Sequence, residues 1–105
     1  LTSSYPEVSI LLAHSAGSFA TARYHIDVAS EFERVFFEIT LTDVPLGAIE
    51  LLVENVGAER VLFGTDCPMR DPRPQFGWLA YTHLNEADKL AILGGNMRQI
   101  LERCR

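Results

Sequence analysis

Residues 59–66 read ERVLFGTD: two charged residues, a short apolar run, then a carboxylate at Asp66. The layout occurs twice upstream, as ERVFFEIT at 33–40 and EVSILLAH at 7–14, so each copy starts 26 residues after the one before. Runs this short, rich in Val, Ile and Phe and bracketed by polar residues, fit strands buried on both faces of a parallel sheet better than half-exposed alternating strands. Between the copies, Phe19, Ala22, Ile26 and Ala29 share one helical face, as do Leu46, Ile49, Leu52, Val53 and Val56. The expected fold is α/β: three βα units in series, with parallel strands.

Local signals refine the units. Asp43 with Pro45 marks a start for the second helix and Gly57 a stop. A Pro-rich loop, CPMRDPRP, follows Asp66, and then an apolar turn around Phe76, Trp78 and Leu79. Asn85, with Asp88 three positions on, resembles a capping box; Leu90 and Leu93 supply an apolar face, and Gly94-Gly95 interrupts it before Asn96 starts a last helix.

Parallel sheets, open or closed, place their chemistry at the C-terminal edge of the strands. The three copies end in His14, Thr40 and Asp66. Occupying the same position in each repeat, these residues are expected on one side of the sheet, together with Ile10, Leu12, Phe36, Glu38, Leu62 and Gly64. Val35, Phe37 and Ile39 would face the helices.

A carboxylate such as Asp66 at the end of an apolar strand is costly to bury without a metal, a base or hydrogen-bond donors; capping of the following loop is its plainer reading. His14, which ends ILLAH, brings a group that titrates near neutrality to the same rim, and its plainer reading is a ring satisfied by backbone groups. As a pair they have the residue types that metal-assisted hydrolysis uses to bind a cation and activate water. One His and one carboxylate do not complete a site, and His25 and His83 fall in helical or loop segments away from the strand ends. Glu38, one layer below the rim where Gly64 leaves room, is expected either to orient His14 or to serve as a structural interior carboxylate. Arg70 and Arg73 are candidates to clamp a substrate carboxylate; beside Asp71 they read equally as solvated loop charges. Phe76 and Trp78 read as core.

Composition narrows the class. Of 105 residues, 48% are hydrophobic and 22% charged, the balance of an ordinary globular domain filling residues 1–105. A net charge of −5 argues against nucleic acid as the partner. Without a long apolar run or a signal-like amino terminus, the chain is expected to be cytoplasmic and off the membrane. Cys67 and Cys104 lack metal-knuckle spacing and read as free thiols. No Gly-rich phosphate loop follows the first strand, which disfavours a nucleotide-binding sheet. The chain opens on Leu1 and reaches an apolar run by Val8, the layout expected of a piece of something longer.

Taken together, ILLAHSAG, VFFEIT, VLFGTDCP and ILGGNMRQIL resemble the amidohydrolase-related barrels that include the aminocarboxymuconate semialdehyde decarboxylase group. The resemblance implies strands six, seven and eight of a (β/α)8 barrel and its closing helix, where Met97 stands in the Ala position of a Gly-Asn-Ala-x-Arg pattern. It implies that Asp66 is a metal ligand or proton acceptor and His14 a metal ligand or acid/base, with zinc or manganese as cofactor and a small carboxylated molecule as substrate for C–N hydrolysis or decarboxylation. The family's His-x-His pair and fifth-strand His are not in this sequence, and a barrel of about 250 residues makes this roughly two fifths of one. The chain alone is therefore expected to be inactive. Its inward apolar side and sheet edges are expected to meet water unless a second copy or a missing N-terminal half covers them. The other reading is a non-catalytic oligomeric binding module derived from such a barrel.

Overall fold

The apolar runs become strands only over their central residues: β1 covers Ile10–Leu12, β2 Val35–Glu38 and β3 Val61–Leu62. The computed structural model describes residues 4–41 and 43–104, and Leu1, on which the reading of the chain's opening rests, lies outside them. The strands form one sheet in the order β1-β2-β3, both pairs parallel. Helices α1 (Phe19–Ala29) and α2 (Ala48–Val56) connect them, and α3 (Pro72–Ala80), α4 (Glu86–Leu90) and α5 (Asn96–Arg103) follow β3. The βα order and the parallel pairing are those expected from the repeat. His14, Thr40 and Asp66 lie beyond the strand ends, not on them.

Register corrects the expected faces. The 26-residue repeat would set Ile10 beside Phe36, yet Ile10 stands beside Val35 and Leu12 beside Phe37. A slip of one residue exchanges the two faces of a strand. Ile10 and Leu12 therefore pack into the helix-side core with Val35, Phe37, Ile39 and Val61, while Leu11 joins Phe36 on the opposite face. Between β2 and β3 the slip is two residues, Phe37 beside Val61 and Glu38 beside Leu62, so Phe36, Glu38 and Leu62 keep the face expected of them. Stagger of this kind accompanies the tilt of strands in closed barrels.

The second helix begins later than Asp43 and Pro45 suggest, at Ala48. Gly47, at φ 88°, makes a left-handed turn ahead of it, and Leu46 is left 88% exposed. Gly57 ends it as expected, in an extended conformation with positive φ (84°) that suits glycine, its N–H donating to Val53 O. The Pro-rich loop is partly helix: Asp71 accepts from Arg73 N and Pro72 fills the first turn of α3, an arrangement that suits both residues. This helix buries Gln75 and Leu79, one turn apart, and turns Phe76 and Trp78 outward, so neither aromatic is core. Asn85 caps α4 by accepting from Asp88 N at 2.9 Å.

Gly94-Gly95 interrupts the helix, as expected. Residues Ala91–Gly95 form a π-type turn, interrupted at Gly94, which joins α4 to α5. In consequence α5 lies against the face away from the other helices, where Ile100 and Met97 cover Phe36 and Leu62. Exposure of that apolar side is confined to the edge strand, where Leu11 is 42% exposed. A buried tie holds α5, and a part-buried one joins residue 60 to the segments around β2. Asn96 Nδ2 donates to Ala58 O (2.7 Å) and Val61 O (2.8 Å), and the Arg60 guanidinium, 5.3 Å above the Phe37 ring, donates to Val35, Phe32 and Ala29 carbonyls. Burial depresses the Arg60 pKa, with Glu59 and Glu33 acting against it.

Candidate functional site

Among the described residues the non-glycine positions with positive φ are His14 (60°) and Asp66 (56°). His and Asp are among the side chains that enter this region more readily than most, and a β-carbon there still carries strain that surrounding contacts must hold in place. Each residue follows a strand of the sheet, His14 after β1 and Asp66 after β3. The two best sequence candidates thus coincide with the two unusual backbone positions.

His14 is exposed, and its ring is fixed by one strong contact, Nδ1 to Thr40 O at 2.5 Å. A carbonyl only accepts, so Nδ1 carries the proton and Nε2 of the neutral ring keeps its lone pair. A metal-binding imidazole commonly donates its other N–H in this way. Behind His14 lies Glu38: Oε2 accepts the His14 backbone N–H at 3.3 Å, and Oε1 accepts Thr40 N–H at 2.8 Å and the Thr40 hydroxyl. Thr40 is buried. Gly64 borders this group, and a Cβ at that position would overlap Glu38 Oε1 and Thr40 Oγ1.

Asp66 is paired with Arg70, whose Nε lies 3.5 Å from Oδ2, and Arg70 N donates to Asp66 O at 3.1 Å. Thr65 Oγ1 accepts Cys67 N–H, so a hydroxyl rather than Asp66 caps that peptide. The Cys67–Pro68 bond is cis. Arg73 is turned away to Asp71, which accepts from its Nε and terminal nitrogen as well as its backbone N–H. Those bonds hold the Asp71 carboxyl at about 2, below its usual 3.8. The structure therefore brings His14, Thr40, Glu38 and Gly64 together, sets Arg70 on Asp66, and commits Arg73 elsewhere.

His25, read from the sequence as remote from the strand ends, reaches them: its Nδ1 lies 2.8 Å from Ser15 Oγ, which donates to Leu12 O at 2.8 Å. Burial lowers its pKa. The signal was its place on α1, two turns after the Ser18 cap, on the side returning toward β1. At His83 the backbone N–H is tied to Glu50. No three His, Cys, Asp or Glu side chains among the described residues gather closely enough to hold a metal ion. No described helix is long and apolar enough to cross a membrane.

Comparison with known proteins places the fold. The amidohydrolase family profile matches residues 1–103. A gamma-resorcylate decarboxylase of Polaromonas sp. is 23% identical over 115 residues, covering 93% of this chain and 35% of that protein. Among solved structures, 2,6-dihydroxybenzoate decarboxylase complexed with 2,6-dihydroxybenzoate superposes with a TM-score of 0.76 at 18% identity, over 99% of this chain and 37% of that one. A dihydroxybenzoic acid decarboxylase from Polaromonas with bound manganese and the inhibitor 2-nitroresorcinol gives 0.76 at 20% identity, over 99% and 36%. The chain spans little more than a third of the length of these relatives.

Proposed function

Because the chain belongs to the amidohydrolase family, we propose that it forms strands six to eight and the closing helix of a (β/α)8 barrel and carries part of a metal-dependent decarboxylation site. The supporting observation is the rim itself: His14 and Asp66 follow their strands in left-handed conformations, with His14 Nδ1–H committed to Thr40 O and Nε2 left as a donor atom. An imidazole nitrogen and a carboxylate suit zinc or manganese. They make up part of a shell, and among the described residues no third His, Cys, Asp or Glu joins them. When bound, such a cation would polarise substrate oxygens and activate water.

The residues of the chain divide the work. His14 Nε2 and the Asp66 carboxylate hold the cation or move a proton at the rim. Arg70, beside Asp66, meets the carboxylate of a small substrate, a role for which its planar guanidinium is suited. Arg73 joins it only if the bonds to Asp71 are released. The curated relative and the solved structures named above are decarboxylases of hydroxylated benzoates, which favours decarboxylation of a small carboxylated aromatic over C–N hydrolysis. The chain alone is expected to be inactive. The test is metal content after purification for the wild type, His14→Ala and Asp66→Ala. Bound manganese or zinc lost in both variants supports the reading, and metal content indifferent to both contradicts it.

One observation favours a second reading, a non-catalytic module. Residues Ile100 and Met97 of α5 cover Phe36 and Leu62 on the inward face from within the chain. A module of that kind would hold no metal and would form a defined oligomer by light scattering.

A further inference from the structure

We propose that Glu38, seated in the space left by Gly64, is the positioning residue that selects the tautomer of His14. The inference rests on the reading of His14 as a rim ligand and adds the device that readies it. Free neutral imidazole has no obligation to carry its proton on Nδ1; here the choice follows from the acceptor it meets, the Thr40 carbonyl. For that carbonyl to meet Nδ1, two segments far apart in sequence must be fixed relative to each other. The turn after β1 has to hold His14 at φ 60°, and the segment leaving β2 has to present Thr40 O toward it.

A single carboxylate does both. Oε2 accepts the backbone N–H of His14, and Oε1 accepts the backbone N–H and hydroxyl of Thr40. One side chain therefore bonds to both loops, and it acts beside a backbone bond, Ser15 N–H to Glu38 O at 2.7 Å, that joins the same segments without fixing Thr40. Its chemistry matters: an ionised carboxylate offers acceptors on both oxygens, matching donors on both sides, whereas an amide would turn a donor toward one of them. Its place matters too. Glu38 lies on the face shared with Leu62, and the only reason its carboxylate can fold toward Thr40 is that residue 64 has no side chain, since a β-carbon there would occupy the positions of Oε1 and Thr40 Oγ1. Glu38 touches neither Nε2 nor the space in front of it, so it acts through Thr40 and the His14 backbone.

The experiment is nitrogen and carbon NMR of the histidine rings in the metal-free chain, at a pH about two units above the ordinary histidine pKa of ~6.5 so that every ring is neutral. His14 is assigned by its loss in His14→Ala. The wild type is expected to show His14 with a protonated Nδ1 and an unprotonated Nε2. In Glu38→Gln the two nitrogen resonances of His14 should move toward each other or exchange places as the Nε2–H form gains population, while His25 and His83 stay put. Gly64→Ala keeps the carboxylate but breaks its contact with Thr40, whichever of the two groups moves, so it should give the same change and decides the matter should Glu38→Gln fail to fold. A His14 that retains Nδ1–H in a folded Glu38→Gln or Gly64→Ala chain overturns the proposal, and so does a wild-type His14 carrying its proton on Nε2. Because no metal or substrate is present, failure here is separate from failure of the metal-site reading, which metal content decides.

Discussion

Gly64, two residues past the end of β3, lies so close to Glu38, the last residue of β2, that a β-carbon at residue 64 would overlap Glu38 Oε1 and Thr40 Oγ1. The pairing makes one glycine a condition for the hydrogen bonds that join the turn after β1 to the segment after β2. Gly64→Ala must push either the carboxylate or the Thr40 hydroxyl aside, and both are held by hydrogen bonds. We expect a destabilisation of about 1–3 kcal/mol, the range for an inserted methyl group in a packed site. Chemical denaturation read by circular dichroism checks it, and an unchanged midpoint would mean that the neighbours yield without loss.

Asn96→Ala should cost about 1–3 kcal/mol, since Val61 O would lose the amide donor and Ala58 O would keep only the Val61 N–H, and an unmade buried hydrogen bond costs more than a made one returns. The urea midpoint should fall with the slope unchanged. A loss well under 1 kcal/mol, measured in the same way, would show that water replaces the amide.

Asp71 offers a pH test. Its folded carboxyl titrates at about 2 against an ordinary 3.8, chiefly because Arg73 hydrogen-bonds it. A depressed folded pKa means that the unfolded chain takes up the proton first as pH falls, so the contribution is complete above about 4 and disappears as pH drops toward about 2. Carboxyl-detected NMR should find that midpoint, and Arg73→Ala should return it toward the ordinary value. A wild-type midpoint near 3.8 would remove the pairing.

His25 shifts in the same direction for another reason. Burial disfavours its charged form, so its folded pKa lies below 6.5 and the chain loses stability as pH falls from that value through the folded pKa. His25→Gln should flatten the dependence of the denaturation midpoint in that window. A slope equal to the wild type's would assign the dependence to other groups.

The βα order was legible because a 26-residue repeat of apolar runs survives in the sequence. Register was not, since it depends on how strands stagger, and a slip of one residue sent Ile10 and Leu12 to the helix side and Leu11 to the other face. The α3 helix was hidden by prolines that read as loop; Pro72 is tolerated because the first turn has no use for its missing N–H. At the rim, residue type and position in the repeat singled out His14, Glu38 and Asp66. The bond from His14 to Thr40, the turn of Arg73 onto Asp71 and the approach of His25 to Ser15 are long-range or rotameric facts that no spacing encodes. Asn96 starts α5 as expected, and its side chain also ties that helix to Ala58 O and Val61 O, which the sequence did not show.

The central claim is that His14 and Asp66 belong to one metal-binding rim. Titration of the 105-residue chain with Mn2+, followed by paramagnetic broadening of individual NMR signals, tests it most directly. The account predicts that signals of His14 and Asp66 broaden first and together, at the same added metal, and that either His14→Ala or Asp66→Ala abolishes the selective broadening of the other. Broadening of exposed carboxylates such as Glu54 and Glu86 ahead of both, or of one rim residue without the other, would contradict it.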